Sequence, residues 1–153
     1  MKRIASFEVN HDKLKPGMYT SRIDGDITTY DIRMVYPNAG TYIQPAAGHT
    51  FEHLFATYAR NSKFADQIIY CGPMGCQTGF YLLIRNADND EVLRQIRLTL
   101  CKIIAHEGAV FGASSRECGN YRNLDVELAK TCCAFYTEII SGWNQEKLAY
   151  PTA

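Results

Sequence analysis

The segment His49-Thr50-Phe51-Glu52-His53 sets two imidazoles four residues apart, with a carboxylate between them. On an α-helix, residues four apart lie on one face, so both rings can reach a single ion. Glu52 lies one residue from the second histidine and three from the first, where its carboxylate can stand beside an open metal position and move protons. A catalytic metal site usually has three protein ligands and one open position. Candidates for the third ligand are Cys118, Cys76, His106, His11 and several carboxylates. Cys118 stands out because Gly119 follows it in a polar segment between two helices, where a loop thiolate can approach an ion without steric conflict.

A second reactive group lies in Pro73-Met74-Gly75-Cys76-Gln77-Thr78-Gly79. Glycines around a cysteine in a break between strands expose its thiol to a cleft. A free thiol has a pKa near ~8.5 and a neighbouring cation lowers it, so Cys76 can exchange protons near neutral pH. Cys71 and Cys76 are too far apart for a Cys-x-x-Cys redox pair. At least one of Cys132 and Cys133 should face the core, and Cys101 is expected to be buried.

These groups must be positioned by a folded framework. From Thr29 to Tyr36 the sequence alternates, with Tyr30, Ile32, Met34 and Tyr36 on one face and Asp31 and Arg33 on the other, the pattern of a half-buried strand. Pro37, Asn38 and Gly40 make a turn. His49 to about Arg60 reads as a helix, Ile68–Cys71 and Phe80–Ile84 as strands. Asp88 followed by Glu91 resembles a capping box. Behind it Val92, Ile96, Leu100 and Ile103 repeat at helical spacing and predict a helix from Glu91 to about His106. Leu124, Leu128, Cys132, Phe135 and Ile139 predict a third helix ending near Gly142. Strands and helices do not alternate strictly, which favours an α+β fold, a mostly antiparallel sheet packed against helices in one domain over residues 1–153.

Composition narrows the function. The chain has 153 residues, 46% of them hydrophobic, enough for one buried core. Sixteen Lys plus Arg balance 16 Asp plus Glu, which argues against a nucleic-acid or membrane-surface binder. No apolar signal-peptide core follows the N-terminal basic pair and no apolar run approaches the ~18 residues of a spanning helix. The expected location is cytoplasmic, where six cysteines serve metal binding, catalysis or burial rather than disulfides.

Taken together, the motifs resemble the S-ribosylhomocysteine lyase family, which makes the precursor of autoinducer-2. Ser6-Phe7-Glu8-Val9-Asn10-His11 is similar to its N-terminal segment, Asp31-Ile32-Arg33 with Pro37-Asn38 to its substrate-side strand, and His49-Thr50-Phe51-Glu52-His53-Leu54 to its metal motif. The Pro73–Gly79 segment resembles its catalytic cysteine segment, and Cys118-Gly119 supplies its third ligand. The matches run in family order across most of the chain. The resemblance implies Fe(II) at His49, His53 and Cys118, with cobalt or zinc as substitutes. It also implies Cys76 and Glu52 as the acid/base pair, and Arg33, Ser6, His11 and a more distant Arg60 as substrate-side residues. The implied substrate is S-ribosylhomocysteine. Its carbonyl migrates along the ribose and homocysteine leaves by β-elimination, giving 4,5-dihydroxy-2,3-pentanedione, a product for quorum sensing or a by-product of methyl-cycle recycling. The working unit implied is a homodimer with sites shared between subunits. Tyr70 stands where many members carry aspartate, and Gly72 where serine is frequent; both changes fall at the amino-acid end of the pocket. Two other classes remain open on the residues alone. One is a zinc peptidase of the H-x-x-E-H type, in which Glu52 activates water. The other is a non-catalytic zinc module with a closed fourth position.

Overall fold

Alternating and helical patterns translate into a short list of elements. In the computed structural model, which describes residues 1–152, the chain begins with a 3-10 turn (Ala5–Phe7) and two strands, β1 (Gly17–Asp24) and β2 (Ile27–Arg33). Helix α1 (Pro45–Arg60) follows, then strands β3 (Ile68–Pro73) and β4 (Gly79–Arg85). Helices α2 (Asn89–Ile104) and α3 (Val126–Ile140) and a second 3-10 turn (Gln145–Leu148) complete it. All strand pairs are antiparallel and the sheet order is β1-β2-β4-β3. The fold is therefore α+β, as the patterning predicts.

The core lies between one face of the sheet and the helices. Met18, Ile32 and Phe80 share one cross-strand row, Tyr30 and Leu82 the next, and all are buried. Helix α1 lays Phe51 on Phe80 with ring centroids 4.3 Å apart; burying each such ring stabilises the fold by about 1.5–3 kcal/mol. Helices α1, α2 and α3 pack against one another, and α1 also packs on β3. Gly79 opens β4 where a side chain cannot fit, because a Cβ there would stand 2.2 Å from the Ile32 carbonyl oxygen.

Several boundaries differ from the sequence expectation, each for a local reason. Helix α1 starts at Pro45, four residues before His49 by number; proline at the first helical position loses no hydrogen bond and sets the helical φ in advance. Asp88 caps α2 by accepting from the Glu91 N–H. The reciprocal half of the capping box is replaced, since the Glu91 carboxylate accepts from Arg94 at 2.6 Å and Gln95 at 3.1 Å. Strand β2 stops at Arg33, because Met34 and Val35 both turn their N–H groups to the Thr78 carbonyl. Its second face is not solvated either: Asp31 is 0% and Arg33 2% exposed. Helix α3 buries Ala129, Cys133, Tyr136 and Ile140, a face one position on from the predicted one, and leaves Phe135 68% exposed. Cys101, expected inside, is exposed, since it follows Leu100 and so projects off the buried Val92–Ile96–Leu100–Ile103 stripe.

Candidate metal centre

Helix α1 presents His49, Glu52 and His53 toward one end of the sheet. The helix is tied there through Thr50, which is fully buried. Its hydroxyl donates to the Ala46 carbonyl at 2.7 Å and accepts the Asp125 N–H at 2.7 Å. Asp125 in turn caps α3 by accepting from the Leu128 N–H. The loop before α3, which carries Cys118 and Asn123, is thereby pinned to the motif helix.

The two imidazoles are oriented by backbone carbonyls. His49 donates from Nδ1 to the Asn123 carbonyl at 2.8 Å, and His53 donates from Nδ1 to the Phe111 carbonyl at 2.7 Å. A neutral ring with its proton on Nδ1 carries a lone pair on Nε2. The two Nε2 atoms face each other at 3.1 Å, and the Cys118 Sγ lies 3.3 Å from the His49 Nε2. Two ring nitrogens and a thiol converging this closely can share a cation between them. Tetrahedral bonds of ~2.0–2.3 Å to nitrogen and sulfur give ligand–ligand edges of about 3.3–3.6 Å, close to both distances. Among the described residues, His49, His53 and Cys118 are the one group of three or more His, Cys, Asp or Glu residues that could hold a metal ion, with their ligand atoms within 4.8 Å of one another. The donor set fits one divalent ion with a position left open. The Asn120 N–H donates to the Cys118 sulfur at 3.4 Å. Gly119 has open space around it, so the approach of Cys118 does not depend on that glycine. The other third-ligand candidates fall away: His106 is buried with both nitrogens engaged, Nδ1 by Tyr58 and Nε2 by Ala109. His11 donates from Nδ1 to the Val9 carbonyl.

Beside His49 and Glu52 lies a cavity of about 340 Å³, walled by Pro45, Phe80, Gly75 and Gln77 among others. Cys76 stands between the last two, in the tight hairpin joining β3 and β4. The Gln77 N–H closes that turn on the Met74 carbonyl, and Gln77 itself adopts a left-handed φ of 61°, a conformation tolerated at sites that must hold a fixed geometry. The exposed Cys76 Sγ lies 3.0 Å from the Thr78 hydroxyl and 3.9 Å from Arg33 Nη1.

Arg33 is held from behind. Its Nε and Nη2 donate to the Asp31 carboxylate at 3.1 and 2.6 Å, its Nη1 to the Thr78 hydroxyl at 2.7 Å, and Tyr150 donates to the same carboxylate at 2.7 Å. Burial works against the guanidinium's charge, yet the Asp31 bonds and charge raise its pKa above the ordinary value. Burial, with Asp31 beside it, raises that of the Tyr150 phenol. Thr78 and Tyr150 carry no signal in the sequence, because a threonine in a turn and a tyrosine near the end of a chain have no spacing rule.

The remaining substrate-side residues are not gathered here. Ser6 lines a different cavity of about 500 Å³, together with Tyr70, Tyr81 and Arg22. Arg60 donates to the Ile68 and Ile69 carbonyls and so ties the end of α1 to β3. Tyr70 and Gly72 act as one change: a Cβ at Gly72 would meet the Tyr70 hydroxyl at 1.9 Å, so the phenol occupies the space a serine side chain would need.

Fold and site together define a class, small α+β proteins able to hold one ion between two helix imidazoles and a loop thiolate, next to a carboxylate. A sequence model of the S-ribosylhomocysteinase (LuxS) family matches residues 4–147. The chain is 41% identical over 157 residues to the S-ribosylhomocysteine lyase of Borreliella afzelii (strain PKo), covering 99% of this chain and 100% of that one. It is 42% identical over 158 residues to the S-ribosylhomocysteine lyase of Clostridium beijerinckii, covering 99% of each. To that of Finegoldia magna it is 40% identical over 156 residues, again covering 99% of each. The chain belongs to the S-ribosylhomocysteinase (LuxS) family of enzymes. Among the described residues, no helix is long and apolar enough to cross a membrane.

Proposed function

We propose that this enzyme, acting in the cytoplasm as one domain per chain and as a homodimer, cleaves S-ribosylhomocysteine to homocysteine and 4,5-dihydroxy-2,3-pentanedione. The observation that carries the proposal is the pair of Nε2 atoms 3.1 Å apart, with Cys118 beside them, opening on a cavity that Glu52 and the neighbours of Cys76 share. His49, His53 and Cys118 would hold a divalent ion, Fe(II) in the first place, which when bound would supply a Lewis acid for the sugar carbonyl.

The chain's own residues move the protons. Glu52 and Cys76 stand as the two acid/base groups. A proton leaves carbon 2 and is returned to carbon 1, moving the carbonyl to carbon 2. A second transfer, from carbon 3 to carbon 2, moves the carbonyl to carbon 3. Removal of the proton on carbon 4 then expels the homocysteine thiolate from carbon 5, and the enol left behind takes a proton at carbon 5 to give the methyl ketone of the product. Electrons balance within the substrate, so no oxidant or reductant is needed. Arg33, fixed by Asp31 and Thr78, sets a permanent positive charge 3.9 Å from the Cys76 sulfur. Arg60 serves the site at a distance by holding β3 against α1.

Two features support the dimer. Ser6 belongs to a cavity other than the one beside the metal ligands, and the segment bearing it leaves Ile4 56% and Phe7 65% exposed. An apolar groove of about 520 Å³ between α3 and the segment after β2 shares Ile43 and Gln44 with the metal-side cavity. A second copy covers these surfaces and brings its Ser6 and His11 to the site.

Anaerobic incubation with S-ribosylhomocysteine, followed by titration of released thiol, tests the function. Wild type should release homocysteine. Cys76→Ala and Glu52→Gln should each lose at least about 100-fold in rate while retaining the metal. No release by metal-loaded wild type, or normal release by either variant, overturns the assignment.

A further inference from the structure

His53 is half-buried on one side of α1, and it must hold one orientation for its Nε2 to meet that of His49. Its Nδ1 donates to the carbonyl of Phe111, at 2.7 Å. Phe111 sits in the irregular connection between α2 and α3, and such connections are mobile unless tied down. What ties this one is an aromatic cluster around the buried His106 that the reaction does not use.

The ring of Phe111 packs edge-on against Tyr58, with centroids 5.4 Å apart, and against His106, at 5.1 Å. Tyr58 lies further along α1 from His53, and His106 follows the end of α2. His106 is 4% exposed. Its Nε2 lies 3.0 Å from the Ala109 carbonyl, which can only accept, so this nitrogen donates. In the neutral ring its Nδ1 is then the acceptor, and the Tyr58 hydroxyl 2.7 Å away donates to it. Both ring nitrogens are thus satisfied. The ring bridges the helix that carries His53 and the backbone that turns back toward it. Gly112 completes the arrangement: it has a left-handed φ of 72°, and a Cβ there would stand 3.3 Å from His53 Nδ1.

We infer that His106 and Tyr58 are positioning residues for the metal centre, clamping Phe111 so that its carbonyl fixes the tautomer and ring angle of His53. The inference rests on reading His49, His53 and Cys118 as metal ligands. The closed circuit runs from His53 to the Phe111 carbonyl, through the Phe111 ring to Tyr58 and His106, and back along α1. Every link is a contact described above. Partners on the far nitrogen of a metal-bound histidine typically set metal affinity by about 10–100-fold. Here the partner is a carbonyl, and the clamp acts by holding that carbonyl still.

Cobalt(II) titration of the full-length protein in the absence of substrate tests this, with affinity measured by competition against a chromophoric chelator and site geometry by the visible d–d bands. His106→Ala should weaken cobalt binding by about 10-fold or more and alter the bands. Tyr58→Phe, which removes one hydroxyl, should weaken it several-fold. His106→Gln, whose amide can both accept from Tyr58 and donate to Ala109, should recover most of the loss. A merely structural cluster would lower thermal stability but leave the affinity and spectrum of folded protein unchanged, and that result overturns the inference. If His106→Ala does not fold, Tyr58→Phe decides, and wild-type affinity with a wild-type spectrum overturns it. If wild type itself shows no thiolate-to-cobalt charge-transfer band, the metal reading fails instead, so the two failures are distinguishable.

Discussion

At the scale of single residues, Thr50 shows how a side chain remote from the reacting atoms governs the site. It lies inside the metal motif, yet its hydroxyl faces the core and receives the N–H of Asp125. Threonine in mid-helix ordinarily returns its hydroxyl to the preceding turn, and Thr50 does so with the Ala46 carbonyl while its lone pairs take a long-range donor. Valine has the same shape without the acceptor. Thr50→Val should leave a buried backbone N–H unpaired, at a cost of about 1–3 kcal/mol. Thermal unfolding should shift down by roughly 3–10 °C for a chain of this size, and Thr50→Ser should restore most of it. A valine variant as stable as wild type would show that the loop before α3 is held by other contacts.

At the scale of elements, the sheet owes its tightness at the Cys76 hairpin to Gly79. Strand β4 passes β2 so closely there that a methyl group would stand 2.2 Å from backbone oxygen, and backbone of a central strand cannot give way as a flexible side chain does. Gly79→Ala should force β2 and β4 apart next to Arg33 and Thr78. The expected loss is about 1–3 kcal/mol, the usual range for overpacking, read as a lower denaturant midpoint. Hydrogen exchange should quicken at the Arg33 and Gly79 pairing more than at the far end of β4. Uniform exchange across the strand would contradict the local account. Helix α3 carries a different lesson. Its sequence has two adjacent apolar stripes: the Ala129–Cys133–Tyr136–Ile140 stripe enters the core, while Leu128, Cys132, Phe135 and Ile139 line a groove. Periodicity alone does not choose between them, because the choice depends on where Tyr136 finds the Gly17 carbonyl for its hydroxyl.

At the scale of the whole molecule, one chain brings together the three candidate ligands and sets His49 and Glu52 on a cavity with the neighbours of Cys76, but leaves Ser6 in another cavity. The proposed homodimer makes a specific demand on complementation. His11→Ala and Glu52→Gln chains, each inactive alone, should regain activity when unfolded together and refolded, because one site of each mixed dimer is then intact. Random pairing puts half of the dimers in the mixed form, so about a quarter of wild-type activity is expected. Mixed dimers verified by mass spectrometry but inactive would mean that His11 acts within its own chain.

Much of the site was legible in the sequence. A helix repeats every 3.6 residues, so H-x-x-E-H places its imidazoles together without reference to the rest of the fold. The Pro73–Gly79 run of turn residues placed Cys76 in a hairpin on local grounds alone. Strands β2, β3 and β4, the three helices and their α+β class followed from the same short-range patterns, whereas β1 (Gly17–Asp24) was not legible in them. What only the tertiary structure decided depends on residues far apart in sequence. Asn123 and Phe111 orient His49 and His53 through main-chain carbonyls, and every residue type has one, so no spacing rule marks them. Tyr150 reaches Asp31 across 119 positions, and burial of the Asp31–Arg33 face depends on that return of the chain. Alternation along β2 could show only that its two faces differ; which face a distant segment covers is settled when the chain packs.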